Sequence, residues 1–368
     1  MERINVLMLV TNLRQTNGVT SYVMNYFNSI DKSRIHMDFA LIYDIPTPYY
    51  ETITEAGSKV FILPSMKKPL SFIKRCKDIL DQGHYDIIHN NILLASLPIM
   101  SLAKKKQIPV RILHSHNSKL GETPKKETRN RLLLPLLLNT ATDYFACSKE
   151  AAEAMFGDRE YTFIPNVVSE DKLTFSADTR NRVRSELGVQ EKTVIGTIGR
   201  VAPQKNPVFA LEVISNALKT IPELEYWWIG NGPMDDFIKE EVARRGLDKH
   251  VRLFGNRDDV VDLYSAIDVF FLPSKFEGLP LTGIEAQAMG LPCIVSNTVT
   301  KEMVFTDLVE YVSLDDPIDE WVESISRQIA RIPERRSYSK ELRNSVFSTV
   351  NAGKRLEEIY SKTLIRDR

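Results

Sequence analysis

Asp268-Val-Phe-Phe-Leu272-Pro-Ser-Lys-Phe-Glu277-Gly-Leu-Pro-Leu-Thr282-Gly-Ile-Glu285-Ala is a strand, then a loop, then the opening of a helix. A short apolar run rich in aromatic residues and bounded by proline is the signature of a fully buried parallel strand. The helix that opens near Thr282 presents unpaired backbone N–H groups and the positive end of its dipole, which suits a phosphate. Glu277 lies in the loop at the strand mouth and Glu285 on the first turn of the helix. The spacing lets two carboxylates approach one small ligand from two sides, and carboxylates accept paired hydrogen bonds from vicinal hydroxyls.

Working outward, the same alternation of strand and helix fills the chain. In the first half, strands are expected at Val6–Val10, Met37–Ile42, Val60–Leu63, Asp86–His89, Val110–His114 and Asp143–Ala146. Helical stretches such as Val19–Ser29, Ser71–Asp81 and Leu94–Lys104 lie between them. A second series follows at Val194–Ile198, Leu224–Ile229, Val251–Phe254, Asp268–Leu272, Pro292–Val295 and Leu308–Val312. Repeated strand–helix units predict an α/β fold of two doubly wound, Rossmann-like domains, with ligands bound outside the carboxyl ends of the strands in a cleft between the domains. The polar stretch from Asn166 to Lys192 marks the break. The expected domains are 1–172 and 173–345, followed by a C-terminal helical segment, 346–368, that packs back on the first domain.

Composition narrows the function. The 368 residues carry 48 basic and 48 acidic side chains, so nothing in the balance points to nucleic acid. Residues 1–170 hold 21 Lys and Arg against 17 Asp and Glu, a small positive excess that leaves room for an anionic partner. Three scattered cysteines, Cys76, Cys147 and Cys293, form neither a disulfide framework nor a metal spacing and fit a reducing compartment. The apolar run Ile4–Val10 is too short for a signal segment, and Leu132–Leu138 too short to span a bilayer. A cytoplasmic protein is expected, with peripheral attachment to the inner face of the plasma membrane as an option.

A second constellation, Gly199-Arg200-Val-Ala-Pro-Gln-Lys205-Asn-Pro207, places two cations at another strand mouth before a helix. Arg forks two oxygens and Lys acts as a point charge, so the pair suits a diphosphate. Gly230-Asn231-Gly232-Pro233 leaves a strand by a tight turn. His114-Ser-His116-Asn117 ends the strand that begins at Val110, and a metal site there would lack a third nearby ligand. Residues 11–19 contain no G-x-G-x-x-G fingerprint.

The pattern Pro-Ser-x-x-Glu-Gly-(x)6-Glu-Ala, with Ala288-Met-Gly-Leu-Pro-Cys293 after it, resembles family 4 of the retaining glycosyltransferases, of GT-B architecture. The wording around Glu277 is closest to bacterial exopolysaccharide and capsule members, and the resemblance covers nearly the whole chain. It implies transfer of a sugar from a nucleoside-diphosphate sugar, most simply a uridine one, to a saccharide or lipid-linked acceptor, with no cofactor and no metal. It implies donor-sugar contact by Glu277, ribose binding by Glu285, and diphosphate binding by Arg200 and Lys205. It also places Gly278, Leu281, Thr282, Asn231 and Gly232 beside the donor, Phe254 at the nucleobase pocket and Gly18 near the phosphate. His116 then frames the transferred sugar, with His114 on the opposite face of its strand. Relatives often carry glycine where this chain has Pro280; proline offers no N–H, so phosphate amides are expected from Leu281 onward.

Two other classes share these features. A nucleotide-sugar epimerase has a related architecture, and a non-catalytic polysaccharide-assembly partner could keep the fold alone. The basic, leucine-rich segment Leu120–Asn139, with Lys125, Lys126, Arg129 and Arg131, suits either an anionic membrane surface or a core helix with a solvated face.

Overall fold

The computed structural model describes residues 3–366, apart from 16, 122, 333 and 334. The chain divides into two compact units: Met1–Val167 with Thr349–Arg368, and Val168–Ser348. The chain therefore leaves the first unit once and returns to it for its last helix.

The first unit is built on a parallel sheet of β1 (Ile4–Val10), β2 (Ile35–Leu41), β3 (Val60–Ile62), β4 (Ile87–Asn90), β5 (Val110–Ser115), β6 (Asp143–Ala146) and β7 (Thr162–Phe163). Their spatial order is β3-β2-β1-β4-β5-β6-β7, so the winding reverses between β1 and β4. Both faces are covered by helices, which is why Val6 to Val10 and Ile87 to Asn90 are buried throughout instead of alternating. The final helix, Ala352–Arg366, packs against the helix Gly18–Ser29, burying Leu356, Tyr360 and Leu364. Arg34 pairs with Glu357 at 2.6 Å, and Arg366 with Asp143, which ties down the second turn and the C-terminal end of that helix.

The second unit repeats the plan with β8 (Thr193–Ile198), β9 (Leu224–Ile229), β10 (Val251–Gly255), β11 (Val269–Leu272), β12 (Cys293–Ser296) and β13 (Val309–Val312). The order is β10-β9-β8-β11-β12-β13, with the reversal between β8 and β11. Its core holds Trp228, Phe271, Ile294 and Trp321, each fully enclosed; burying a side chain such as Phe271 contributes about 1.5–3 kcal/mol. Below the strands, Asp268 accepts from Val194 N at 2.8 Å and pairs with Arg184 at 3.0 Å and Arg180 at 2.5 Å. At a reversal, the connections of neighbouring strands leave to opposite sides, and the crevice opened at the carboxyl ends is where such sheets take ligands. In the second unit that crevice lies at the ends of β8 and β11, the two segments singled out by sequence.

The short β7 escaped the sequence pattern because two residues carry no periodicity. The stretch read as one helix at Leu94–Lys104 is a 3-10 turn, Leu94–Ser96, followed by a helix, Leu97–Lys105, with Pro98 in its first turn.

Candidate donor site and histidine cluster

After β8 the chain turns at Gly199, forms a 3-10 turn at Pro203–Lys205 and enters the helix Pro207–Ala217 through Asn206, which holds a left-handed φ of 58°. Asparagine tolerates that conformation better than most residues. The turn sends the Lys205 side chain back across Gly199. A Cβ on Gly199 would stand 2.9 Å from Lys205 Cε and would push the end of the lysine aside, and the φ of 151° there strains any residue but glycine.

Lys205 Nζ reaches Glu277 Oε1 at 2.8 Å. The same carboxylate accepts from Ser274 Oγ at 2.7 Å and from Gln204 Nε2 at 3.1 Å. Glu277 is 6% exposed, so its charge is held by three donors in a largely dry setting. Backbone contacts bind the two loops together: Lys275 N donates to Gln204 O at 2.8 Å, and Gln204 Nε2 to Phe276 O at 3.1 Å. Gly278 follows, buried. Arg200 stands on the same loop with its side chain exposed to solvent.

Pro280 caps the helix Leu281–Ala288 without a side-chain bond. Gly283 and Ile284 donate to Pro280 O, while the N–H groups of Leu281 and Thr282 precede any intrahelical partner. The Thr282 hydroxyl is buried and has no hydrogen-bond partner among the described residues. Glu285 is the fifth residue of the helix, one position past the first turn expected for it. Its Oε2 lies 2.9 Å from the Tyr264 hydroxyl, which also sits 3.1 Å from Thr282 O. Burial raises the Glu285 carboxyl above its ordinary value, and the Tyr264 bond works against that rise.

The neighbouring turns pack tightly. A Cβ on Gly230 would meet Gly199 O at 2.3 Å, and one on Gly232 would meet Val201 O at 2.1 Å. Gly232 N is committed to Asp235 Oδ1 at 2.9 Å, so its N–H serves the turn. Asn231 is exposed, and its N–H donates to Asn256 Oδ1 at 3.1 Å. Phe254, half-buried on β10, packs edge-on to Trp227.

In the first unit, Gly18 opens the helix Gly18–Ser29 behind Asn17, whose side chain accepts from Val19 N. His89 and His114 are buried and His116 is half-buried, and the three form one cluster. His114 and His116 stack with ring centroids 4.1 Å apart, which corrects the expectation that they face opposite ways: residues two apart on a strand share a face. His89, set aside on sequence, joins them through His89 Nε2···His114 Nδ1 at 2.9 Å, and its Nδ1 meets the Tyr360 hydroxyl at 2.6 Å. His116 Nε2 lies 2.7 Å from Asn91 Oδ1. Burial lowers His89 and His116 to about 3 and takes His114 well below the usual imidazole value. Four of their six nitrogens are hydrogen-bonded; His114 Nε2 and His116 Nδ1 have no hydrogen-bond partner among the described residues. Among the described residues, no group of three or more His, Cys, Asp or Glu is placed to hold a metal ion.

Gln204, Ser274, Tyr264, Asn91 and Tyr360 thus join the sequence-derived residues. Gln204 and Ser274 lay inside quoted motifs; the others arrive by tertiary contact.

Two tandem doubly wound parallel sheets, with a cationic loop and a carboxylate loop at the reversal of the second, define a glycosyltransferase of GT-B type. The chain belongs to the family of glycosyl transferases group 1, which matches residues 179–345. EpsF of Bacillus subtilis (strain 168), which bears a glycosyltransferase name, is 30% identical over 336 residues, 88% of this chain and 88% of EpsF. The Escherichia coli UDP-Gal:alpha-D-GlcNAc-diphosphoundecaprenol alpha-1,3-galactosyltransferase is 28% identical over 326 residues, 82% of each chain. The crystal structure of Anabaena Alr3699/HepE in complex with UDP-glucose superposes with a TM-score of 0.80 at 17% identity, over 98% of this chain and all of that one.

Proposed function

We propose that this glycosyltransferase moves a hexose from a uridine-diphosphate sugar to a saccharide or lipid-linked saccharide acceptor in exopolysaccharide or capsule synthesis, retaining the anomeric configuration and using no metal ion. The observation that carries the reading is the Lys205–Glu277 pair at the reversal of the second sheet, with Leu281 and Thr282 opening the helix Leu281–Ala288 at the end of the loop that follows Glu277. The E. coli galactosyltransferase, named for a UDP-galactose donor and a diphosphoundecaprenol acceptor, and the UDP-glucose complex of HepE support the donor and acceptor classes.

The roles follow from charge and position. Lys205 and Arg200 neutralise the diphosphate, and Leu281 N, Thr282 N and the Thr282 hydroxyl supply fixed dipoles aimed at developing phosphate charge. Glu285, held by Tyr264, accepts from the ribose hydroxyls, and Phe254 borders the base. Glu277 accepts from hydroxyls of the sugar. In the transfer, the bond from the anomeric carbon to the phosphate oxygen breaks as a bond to the acceptor oxygen forms on the same face. The acceptor hydroxyl proton passes to the departing phosphate oxygen. The two cations stabilise the charge left on the nucleoside diphosphate, the task a metal performs elsewhere.

Membrane attachment belongs to the same proposal. The helix Pro124–Leu138 buries Leu134, Leu137 and Leu138 but leaves Leu132 78% and Leu136 56% exposed, near Lys125, Lys126 and Arg129. Beyond the adjacent helix Leu97–Lys105, the helix Pro69–Gly83 exposes Leu70 and Ile73, with Lys67 and Lys68 just before it. Apolar tips beside cations are what an anionic headgroup layer takes up. Among the described residues no helix is long and apolar enough to cross a membrane.

A thermal-shift panel of UDP-glucose, UDP-galactose, UDP-N-acetylglucosamine and their GDP counterparts tests the donor, because a ligand stabilises the state that binds it. Stabilisation by a UDP sugar and loss of turnover in Lys205→Met and Glu277→Gln are expected. Full turnover in either variant would overturn the assignment. Pelleting with anionic but not neutral vesicles is expected for the membrane face, and pelleting with neither rejects it.

A further inference from the structure

Two short helices of the second unit meet at Glu285. The helix Val260–Ala266 supplies the Tyr264 hydroxyl, which touches both Glu285 Oε2 and Thr282 O on the helix Leu281–Ala288. Helices of seven and eight residues are held in place by packing and capping more than by their own ladders. The last carbonyls of a helix have no partner within it and must be met from outside. At the end of Val260–Ala266, arginines meet them. Arg335 Nη2 donates to Tyr264 O at 2.8 Å, and its Nη1 donates to Ser265 O at 3.0 Å and Ile267 O at 2.6 Å. Arg180 and Arg184 donate to Ala266 O at 3.2 Å and 2.9 Å.

Arg335 differs from the other two in what else it reaches. Arg180 and Arg184 turn to Asp268. Arg335 Nε and Nη2 each donate to Met289 O at 3.2 Å. Met289 closes the helix Leu281–Ala288, and its own N–H donates to Glu285 O at 3.0 Å. One planar guanidinium therefore ties together the C-terminal ends of the two helices whose side chains join at Glu285. It is held in turn by the Phe175 ring, whose centroid lies 4.1 Å from the guanidinium carbon. The backbone that carries it is pressed against the second helix. Tyr338 N donates to Ala288 O at 2.8 Å, and a Cβ on Gly290 would stand 1.7 Å from Arg336 O. Glu285 is half-buried, so the carboxylate at the junction is not sealed from a ligand.

We propose that Arg335 is a positioning residue for the nucleotide. It fixes the spacing of the two helices, so that the Tyr264 hydroxyl stays on Glu285 and the carboxylate stays turned to the ribose hydroxyls. This role rests on the reading of Glu285 as the residue that holds the ribose. Arg335 itself does not touch the ligand, and its effect passes through Tyr264 and Glu285. The planar fork is what the task needs: it serves several acceptors at once, whereas a lysine has one nitrogen and cannot span both helix ends.

Calorimetric titration of the full chain with UDP and with 2′,3′-dideoxy-UDP tests it, each variant being measured well below its own melting temperature. Arg335→Met and Arg335→Lys should both weaken UDP binding by about fivefold, within the worth of one hydrogen bond, and leave binding of the dideoxy analogue unchanged. Arg180→Met removes contacts at the end of Val260–Ala266 alone. It should lower the melting temperature while UDP binds as in the parent. Added to Tyr264→Phe, Arg335→Met should weaken UDP little further, because both act through one carboxylate. Arg335 variants that melt early but bind UDP like the parent confine the residue to the fold and overturn the proposal. Equal weakening of UDP and its dideoxy analogue overturns it too, as does a fully additive loss with Tyr264→Phe. If Arg335→Met does not fold, Arg335→Lys decides. A parent that binds UDP and the analogue equally removes the ribose reading itself, and the proposal with it.

Discussion

Lys205 Nζ and Glu277 Oε1, carried on loops from two neighbouring strands, form an ion pair of 2.8 Å whose side chains are 12% and 8% exposed. Two residues that sequence reasoning assigned to separate tasks, diphosphate and sugar, are thus one electrostatic unit before any ligand arrives. On the proposed assignment, an incoming diphosphate would compete for Lys205 and free Glu277 to accept from sugar hydroxyls.

Removing one partner leaves the other charge buried. Lys205→Met and Glu277→Gln should each destabilise the protein by about 3 kcal/mol, the usual consequence of orphaning a buried charge. The double variant should melt closer to the parent than either single one, because no charge is left behind. It should remain inactive in a UDP-release assay. Melting temperature and turnover measured on the same three variants separate the structural part of the pair from the catalytic part.

The glycines beside the pair make a graded test. Gly199→Ala places its Cβ against the flexible end of Lys205, which can move aside, although the φ of 151° still strains alanine. Gly230→Ala drives its Cβ into the carbonyl of Gly199, and backbone cannot yield as a side chain does. Gly199→Ala should cost about 1–3 kcal/mol and reduce turnover by displacing the lysine. Gly230→Ala should be the more damaging for stability, as read from urea midpoints.

Much of this was legible in the sequence, and the rest was hidden for definable reasons. Strands buried on both faces announce themselves as apolar runs, so Val269–Leu272 and Leu224–Ile229 were visible. Loops between them carried Lys205, Glu277 and Glu285 in recognisable spacing. Nothing local linked Tyr264 to Glu285 or Tyr360 to His89: in each pair the two side chains come from distant segments and meet only after folding. The leucines of Pro124–Leu138 could not be sorted by pattern, because its apolar residues run consecutively and wrap the helix, with three inside and three outside. The expected opposite facing of His114 and His116 failed on strand periodicity itself.

The buried histidines give stability a pH dependence with a definite sign. In the unfolded chain a histidine titrates near about 6.5. In the fold, burial holds His89 at about 3 and His114 well below its usual value, with further lowering from neighbouring histidines. Below pH ~6.5 the unfolded state binds protons that the native state refuses, so stability is full above that pH and falls as pH drops toward about 3. Each such histidine contributes up to about 1.4 kcal/mol of loss per pH unit. Urea unfolding between about pH 7 and pH 4 should show this slope. His89→Asn should lower stability at neutral pH and flatten the slope, whereas an unchanged slope would mean that the cluster is not the source.

Tyr264 offers the sharpest separation of ribose binding from folding. Its hydroxyl is the hydrogen-bond donor to Glu285 Oε2, and it comes from the helix Val260–Ala266. Phenylalanine keeps the ring, its packing and its burial, and removes that donor alone. A buried carboxylate without it is free to rotate and more readily protonated, because burial already raises its pKa and the Tyr264 bond opposes the rise. Tyr264→Phe should therefore lose about 1 kcal/mol of stability and weaken UDP binding several-fold, by calorimetric titration at neutral pH. The loss should grow as pH falls toward the carboxyl range, since a protonated Glu285 accepts fewer hydrogen bonds from ribose. The comparison with 2′,3′-dideoxy-UDP is decisive: it lacks both ribose hydroxyls, so parent and Tyr264→Phe should bind it equally. A deficit that persists with that analogue would place the role of Tyr264 in the fold and not in the recognition of ribose.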